Sequence, residues 1–203
     1  MNKELEQELI EKVKKDLLSL KDIKDQTERI CLEAVKKDAY ALMYVKYQTE
    51  RICLEAVKKD AYALQFVKDQ TETICLEAVK KDAYALQFVK DQTETICLEA
   101  VKQNRNVLFY VKHKTDKICL EALKQDFDAI SFLDINKRKI VLIALNASLH
   151  HKNKDKNILT KILKKFSKDK EIIDFYIKYK LLKYVDFSKV KLNNELIKYS
   201  MTL

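Results

Sequence analysis

The sequence predicts an all-α protein, an α-solenoid of stacked 22-residue helical hairpins with a helical C-terminal cap. Three observations carry that expectation. The 203 residues include neither glycine nor proline. Cys31, Cys53, Cys75, Cys97 and Cys119 stand 22 residues apart. Each interval repeats one order of cap chemistry and apolar positions, typified by ICLEAVKKDAYALQFVKDQTET from Ile74. Without glycine, backbone positions with φ > 0 are costly, which disfavours tight β-hairpins and the phosphate-cradling turns of nucleotide folds. With 47% apolar residues, the chain has enough side chains for a core and is not expected to be disordered.

The repeat phase divides the chain into four parts. Residues 1–29 form a degenerate N-terminal capping repeat, in which Val13 falls under Val35, Asp16 under Asp38 and Leu20 under Leu42. Residues 30–139 hold five repeats. Residues 140–156 are a divergent last repeat, and 157–203 a basic helical C-terminal cap. Atypical end units are what a stacked array needs, because an end face has no neighbour and must be compatible with water.

Each unit splits into two helical halves. Thr27, Thr49, Thr71, Thr93 and Thr115 N-cap the first, helix A, followed by Glu or Asp where the helix dipole favours negative charge. Asp38, Asp60, Asp82 and Asp126, with Asn104, cap the second, helix B. Hairpins this short cannot bury their apolar sides alone, so stacking must supply the core. The rival is one continuous helix, whose apolar face would drift only ~40° per 22 residues at 3.6 residues per turn. The Asp-Gln-Thr-Glu segments at the boundaries, which are turn and cap chemistry, argue against it. In the tail, Ser167 is a further cap candidate.

The segment ICLEAVKKDAYALQFVKDQTE, recurring from Ile30 to about Lys139, resembles a family of short uncharacterised helical repeats of proteins from large DNA viruses and some bacteria. The resemblance implies helical stacking and a binding role. It brings no catalytic motif. Where family members place Asn-Gly at the turn within the unit, this chain has Lys-Asp-Ala.

Charge is uneven. Residues 1–139 carry 26 basic and 25 acidic side chains, whereas residues 140–203 carry 14 and 6, so the excess of the +9 net charge lies in the last third. The opening MNKELEQELIEKVKK lacks an apolar leader core, and no stretch approaches the ~18 apolar residues of a membrane span. A cytoplasmic protein, in the host cytoplasm if viral, is the expectation, with no membrane partner.

No catalytic, cofactor or metal site is expected, and the protein is read as a non-enzyme. Stacked neighbours would hold successive cysteines ~8 to 10 Å apart, beyond the ~7 Å Cα limit of a disulfide, so the thiols are read as small buried apolar groups. His150 and His151, beside Lys152, Lys154 and Lys156, are read as part of a polar loop. The lysine columns at Lys36, Lys58, Lys80, Lys102 and at Lys46, Lys68, Lys90, Lys112 are read as solvated faces, the former paired with the Glu33 column at i, i+3.

Comparison between units shows which positions vary. Tyr40, Met43 and Tyr47 become Tyr62, Gln65 and Asp69, then Tyr84, Gln87 and Asp91, then Asn106, Phe109 and His113. The spacing i, i+3, i+7 places each triplet on one face of an α-helical helix B. Tyr40, Met43, Tyr47, Tyr62, Gln65, Tyr84, Gln87, Phe109 and His113 are therefore the candidate partner-binding residues of a scaffold for another protein. Aromatic and Met content of this kind is enriched in interface cores. A narrower expectation is a viral or phage inhibitor of a host defence complex. The alternative is RNA or DNA binding by the basic tail through Lys152, Lys154, Lys156, Lys161, Lys164 and Lys165, with Phe166, Phe175, Tyr176, Tyr179 and Tyr184 for base stacking.

Overall fold

A computed structural model describes residues 2–125, 129, 141, 145, 156–166, 168–178 and 181–185. The chain forms two compact units, Met1–His113 and Lys114–Leu203. The described elements are helical throughout.

In the first unit, α-helices alternate with 3₁₀ helices. The α-helices are α1 (Lys3–Lys15), α2 (Glu28–Lys37), α3 (Glu50–Lys59), α4 (Glu72–Lys81) and α5 (Glu94–Gln103). The 3₁₀ helices are η1 (Leu17–Asp22), η2 (Ala39–Tyr44), η3 (Ala61–Phe66), η4 (Ala83–Phe88) and η5 (Arg105–Tyr110). Successive α-helices pack on one another, as do successive 3₁₀ helices, making one α layer and one 3₁₀ layer. This is an α-solenoid of tandem 22-residue helix pairs, and a continuous helix is excluded by the chain reversal at every Asp or Asn junction.

Helix B is thus corrected from α to 3₁₀. At ~1.5 Å per residue in an α-helix and ~2.0 Å in a 3₁₀ helix, ten residues of one and six of the other span comparable lengths. The sequence of helix B fits three residues per turn. Ala39 and Leu42 share a buried column, Tyr40 and Met43 an exposed one, and Ala41 is buried above half-buried Tyr44. The i→i+3 bonds Asp38 O to Ala41 N and Leu42 O to Val45 N close its turns at 3.0 and 3.1 Å.

The junctions explain how the chain turns without glycine. Asp38 is extended, at φ −145° and ψ 120°, so no left-handed residue is needed. Its N–H donates to Ala34 O, ending α2, while its Oδ1 accepts from Tyr40 N at 2.8 Å, starting η2. One aspartate thereby serves two helix ends. Asp60 and Asp82 repeat the arrangement, and Asn104 does so with Asn106 N. The threonine caps are as expected, with Thr27, Thr49, Thr71, Thr93 and Thr115 accepting from the backbone N–H three residues on. Asp126 lies outside the described residues.

The core runs between the layers. Ile30, Ala34, Val35 and Leu42 are fully buried, as are their equivalents through Ile96, Ala100, Val101 and Leu108. In α1 the positions of Ile30 and Ala34 are Glu8 and Lys12, both exposed.

The second unit contains α6 (Asp116–Gln125), α7 (Lys156–Lys165), α8 (Lys170–Lys178) and η6 (Leu181–Tyr184). Ile118, Cys119, Ala122 and Leu123 are buried on α6; Leu159, Ile162 and Leu163 on α7; and Ile172, Ile173 and Tyr176 on α8. Asp169 caps α8 by accepting from Ile172 N at 3.3 Å. Ser167, His150, His151 and most of the 140–156 segment lie outside the described residues.

Candidate protein-binding face

The 3₁₀ layer presents its Tyr40 column to solvent because the period of three turns the Ala39 and Ala41 columns inward. Tyr40 is 36% exposed, Met43 49%, Tyr47 81% and Phe109 71%. Gln65, Gln87 and His113 are exposed, and Tyr62 and Tyr84 half-buried. Tyr47 is not on the helix: η2 ends at Tyr44 and Val45 is extended, at φ −74° and ψ 121°. It projects from the bend between repeats, so the i, i+7 relation assumed for an α-helix does not place it with Tyr40 and Met43. Leu18, at the Tyr40 position of the first repeat, is 55% exposed. Sequence reasoning missed it because that repeat is degenerate, although the 22-residue phase points to it.

The tyrosines are also packed between repeats. Tyr40 meets Phe66 of the next unit edge-to-face at 5.5 Å between centroids, and Tyr62 meets Phe88 likewise at 5.5 Å. Tyr84 meets Tyr110 at 6.3 Å. Partial burial first, then the charge and hydrogen bond of Asp60, raise the Tyr40 hydroxyl above its ordinary range; burial and Asp82 do the same for Tyr62. These rings therefore serve stacking as well as surface, whereas Tyr47 and Phe109 are mostly exposed and Met43 about half exposed. Gln65 and Gln87 donate back to Tyr62 O and Tyr84 O at 3.0 and 3.1 Å.

What holds this face in place is a ladder unseen in the sequence. Gln48 Nε2 donates to Leu42 O and, across to the next repeat, Phe66 O, while its Oε1 accepts from Lys68 N. Gln26, Gln70 and Gln92 do the same in their own registers. A six-residue 3₁₀ helix leaves terminal carbonyls without intrahelical partners, and the glutamines supply donors. The signal was Gln at 26, 48, 70 and 92, read as turn chemistry alone.

Two further columns change role. The cysteine thiols do not merely fill apolar space: Cys31, Cys53, Cys75 and Cys97 donate Sγ–H to the same glutamine Oε1 at 3.7 to 3.9 Å. Burial pushes Cys31, Cys53 and Cys75 up to about 11, and raises Cys97. The Lys46 column is exposed, as expected, and also bonds between repeats. Lys68 Nζ donates to Val45 O and Lys46 O, and Lys90 and Lys112 bond the preceding repeat in the same way. On the α layer the expected i, i+3 pair is present as Lys36 with Glu33 at 3.2 Å.

At the corner between α and 3₁₀ layers, Lys59, Asp60, Ala61, Tyr62, Lys81 and Asp82 line an open pocket of about 310 Å³. Its carboxylates are engaged in capping Tyr62 N and Tyr84 N.

Of the tail lysines, Lys164 and Lys165 are exposed on α7. Lys156 and Lys161 lie on the same helix with side chains outside the described part; Lys152 and Lys154 lie outside the described residues. Tyr176 is corrected as a stacking candidate. It is fully buried, and its hydroxyl donates to Leu159 O at 2.7 Å. Phe166, Phe175 and Tyr184 are half-buried, and Tyr179 is outside the described residues. Among the described residues, no helix is long and apolar enough to cross a membrane.

No curated protein and no solved structure matches the chain. Residues 27–71, 49–92 and 71–115 each match a family model described as a domain of unknown function, DUF4116. The three matches start at Thr27, Thr49 and Thr71, the N-caps of α2, α3 and α4. The repeat segment of this chain is therefore similar to an uncharacterised repeat family, in the phase that its helix caps define.

Proposed function

We propose that the protein is a non-enzymatic helical-repeat scaffold that binds another protein through its 3₁₀ face. One observation carries this reading. Six large apolar side chains are exposed among the described residues: Leu5, Leu18, Tyr40, Met43, Tyr47 and Phe109. All except Leu5 belong to the 3₁₀ layer or the bend that follows it. Apolar groups gathered on one side of a stacked array, with aromatic and Met character, match the composition of interface cores. A narrower form is a viral or phage protein that blocks a host defence complex. Nearly identical adjacent repeats, pointing to recent expansion, and a Lys- and Ile-rich composition support it. Affinity capture from lysate of the native cell, repeated with Tyr47→Asp, tests the reading. A partner retained in high salt and lost from the variant is expected; capture unaffected by Tyr47→Asp and Met43→Asp together contradicts it.

The second reading, nucleic-acid binding by the tail, is favoured by exposed Lys164, Lys165, Lys168 and Lys170 around the α7 to α8 turn. Such binding must weaken steeply with salt. A salt titration with RNA and DNA, with Lys164→Glu and Lys165→Glu together as control, decides it.

A further inference from the structure

The repeats Thr49–Gln70 and Thr71–Gln92 differ at one position, Arg51 against Thr73. Their neighbours differ from them at more positions, three in the preceding repeat and nine in the following one, on exposed, half-buried and buried sites alike. The preceding repeat departs from Thr49–Gln70 at Met43, Tyr44 and Tyr47, and the following one brings Phe109 and His113 where Gln87 and Asp91 stand. Among the described residues the most exposed aromatic side chains, Tyr47 and Phe109, thus lie on the two sides of a polar pair of repeats whose 3₁₀ helices and following bends expose Gln65, Lys68, Asp69, Gln87, Lys90 and Asp91.

The threonine, lysine and glutamine bonds between repeats recur with the same donor and acceptor types across this pair. Thr93 donates to Glu72 as Thr71 does to Glu50. Lys112 Nζ meets Val89 O and Lys90 O as Lys90 Nζ meets Val67 O and Lys68 O. Gln92 bridges to Tyr110 O and Lys112 N as Gln70 does to Phe88 O and Lys90 N. If Thr71–Gln92 is removed, Gln70, Val67, Lys68, Glu50 and Tyr62 present to the next repeat the residues that Gln92, Val89, Lys90, Glu72 and Tyr84 presented. The seam closes on identical chemistry.

We propose that these two repeats are an interchangeable spacer that sets the distance between two apolar anchors, Tyr40, Met43 and Tyr47 on one side and Phe109 on the other. This rests on the reading of the 3₁₀ face as a protein-binding surface and specifies its partner: a protein with two apolar recesses about 30 Å apart, three repeats at ~10 Å each. The surface between those recesses is polar, complementary to Gln65, Lys68, Asp69, Gln87, Lys90 and Asp91. Residues within the spacer bind little; their number sets which partner fits.

The test uses full-length chains lacking residues 71–92, lacking residues 71–81, or carrying a second copy of 71–92. Labels on Tyr47→Cys and Phe109→Cys report the anchor separation, since the native cysteines of this unit are buried. The whole-repeat deletion and duplication are expected to keep native helicity by circular dichroism and to move the label distance by about one repeat, ~10 Å each way. The half-repeat deletion is expected to lose helicity. Lost folding in the whole-repeat deletion, or an unmoved distance, overturns the spacer. In unlabelled form the whole-repeat deletion retains all anchor residues, and at least tenfold weaker binding to the partner captured by the wild type is expected, restored by reinserting 71–92. Undiminished binding by the deletion, together with loss in Tyr47→Asp, overturns the spacer's role while leaving the binding face intact. No partner for the wild type overturns the binding face and with it the two-anchor partner, and the label distance then decides the spacer alone.

Discussion

The two layers of the array hold together by different physics. The α layer is joined mainly by apolar packing, with Ile74, Ala78 and Val79 and their equivalents fully buried, its helix ends satisfied by local caps and only side chain to side chain bonds such as Thr71 to Glu50 crossing between repeats. The 3₁₀ layer is joined by side chains that reach backbone groups 18 to 23 residues away, in the glutamine and lysine ladders. Ten-residue α-helices satisfy most of their own backbone, whereas six-residue 3₁₀ helices do not. A short helix can therefore form the exposed face only when its neighbour's polar side chains complete it. That frees the exposed Met43 position to vary, through Gln65 and Gln87 to Phe109, since bonding between repeats rests on other positions.

The largest expected effect is in the α layer. Ile74→Ala removes a fully buried side chain between repeats and should cost about 2–5 kcal/mol by urea unfolding. Next comes the 3₁₀ layer's ladder. Gln70→Ala leaves Phe88 O, Leu64 O and Lys90 N without their bridge and should cost about 2–3 kcal/mol. A cost below that of a single helix cap would break the contrast between layers. The junction is expected to be smaller still. Asp60→Ala should cost about 1–2 kcal/mol, whereas Asp60→Asn should stay within a few tenths, because Asn104 performs the same cap at 2.9 Å.

The smallest effect at neutral pH concerns the thiols. Cys31, Cys53 and Cys75 are raised in the folded state from 9.0 to about 11 by burial. A raised folded value means that the stability is fully present below pH 9 and is lost as pH rises through 9 toward 11. The urea midpoint should fall over that window. Cys75→Ala should flatten part of the fall, and a thiol reagent at pH 8 should label the native chain only after denaturant is added.

Much of this architecture was legible. Threonine and aspartate caps have local signatures, and Ile30, Ala34, Val35 and Leu42 declared themselves core by recurring unchanged. The 3₁₀ character was missed because Ala-Tyr-Ala-Leu-Gln-Phe is also a good α-helical string; only its three-residue columns distinguish it. That miss moved Tyr47 onto a helix face it does not occupy. The bonds of Gln48 and Lys68 were missed for a different reason. A side chain that bonds a carbonyl 18 or 23 residues away leaves no local pattern, only recurrence, and recurrence alone does not separate a bonded residue from a packed one. On the candidate face, Tyr40, Met43, Tyr47 and Phe109 were legible as variable apolar positions, while Leu18 was hidden by the degeneracy of its repeat.

The central claim is that the 3₁₀ face, and not the α face, meets a protein partner. Site-specific photo-crosslinking tests it most directly, with the reactive side chain at 43, 47 or 109 on one face and at 29, 36 or 58 on the other. Covalent capture of one partner from the first three positions and none from the second three is the predicted result. Equal capture from positions 36 and 58 on the α layer, or no capture from 43, 47 and 109, would contradict it.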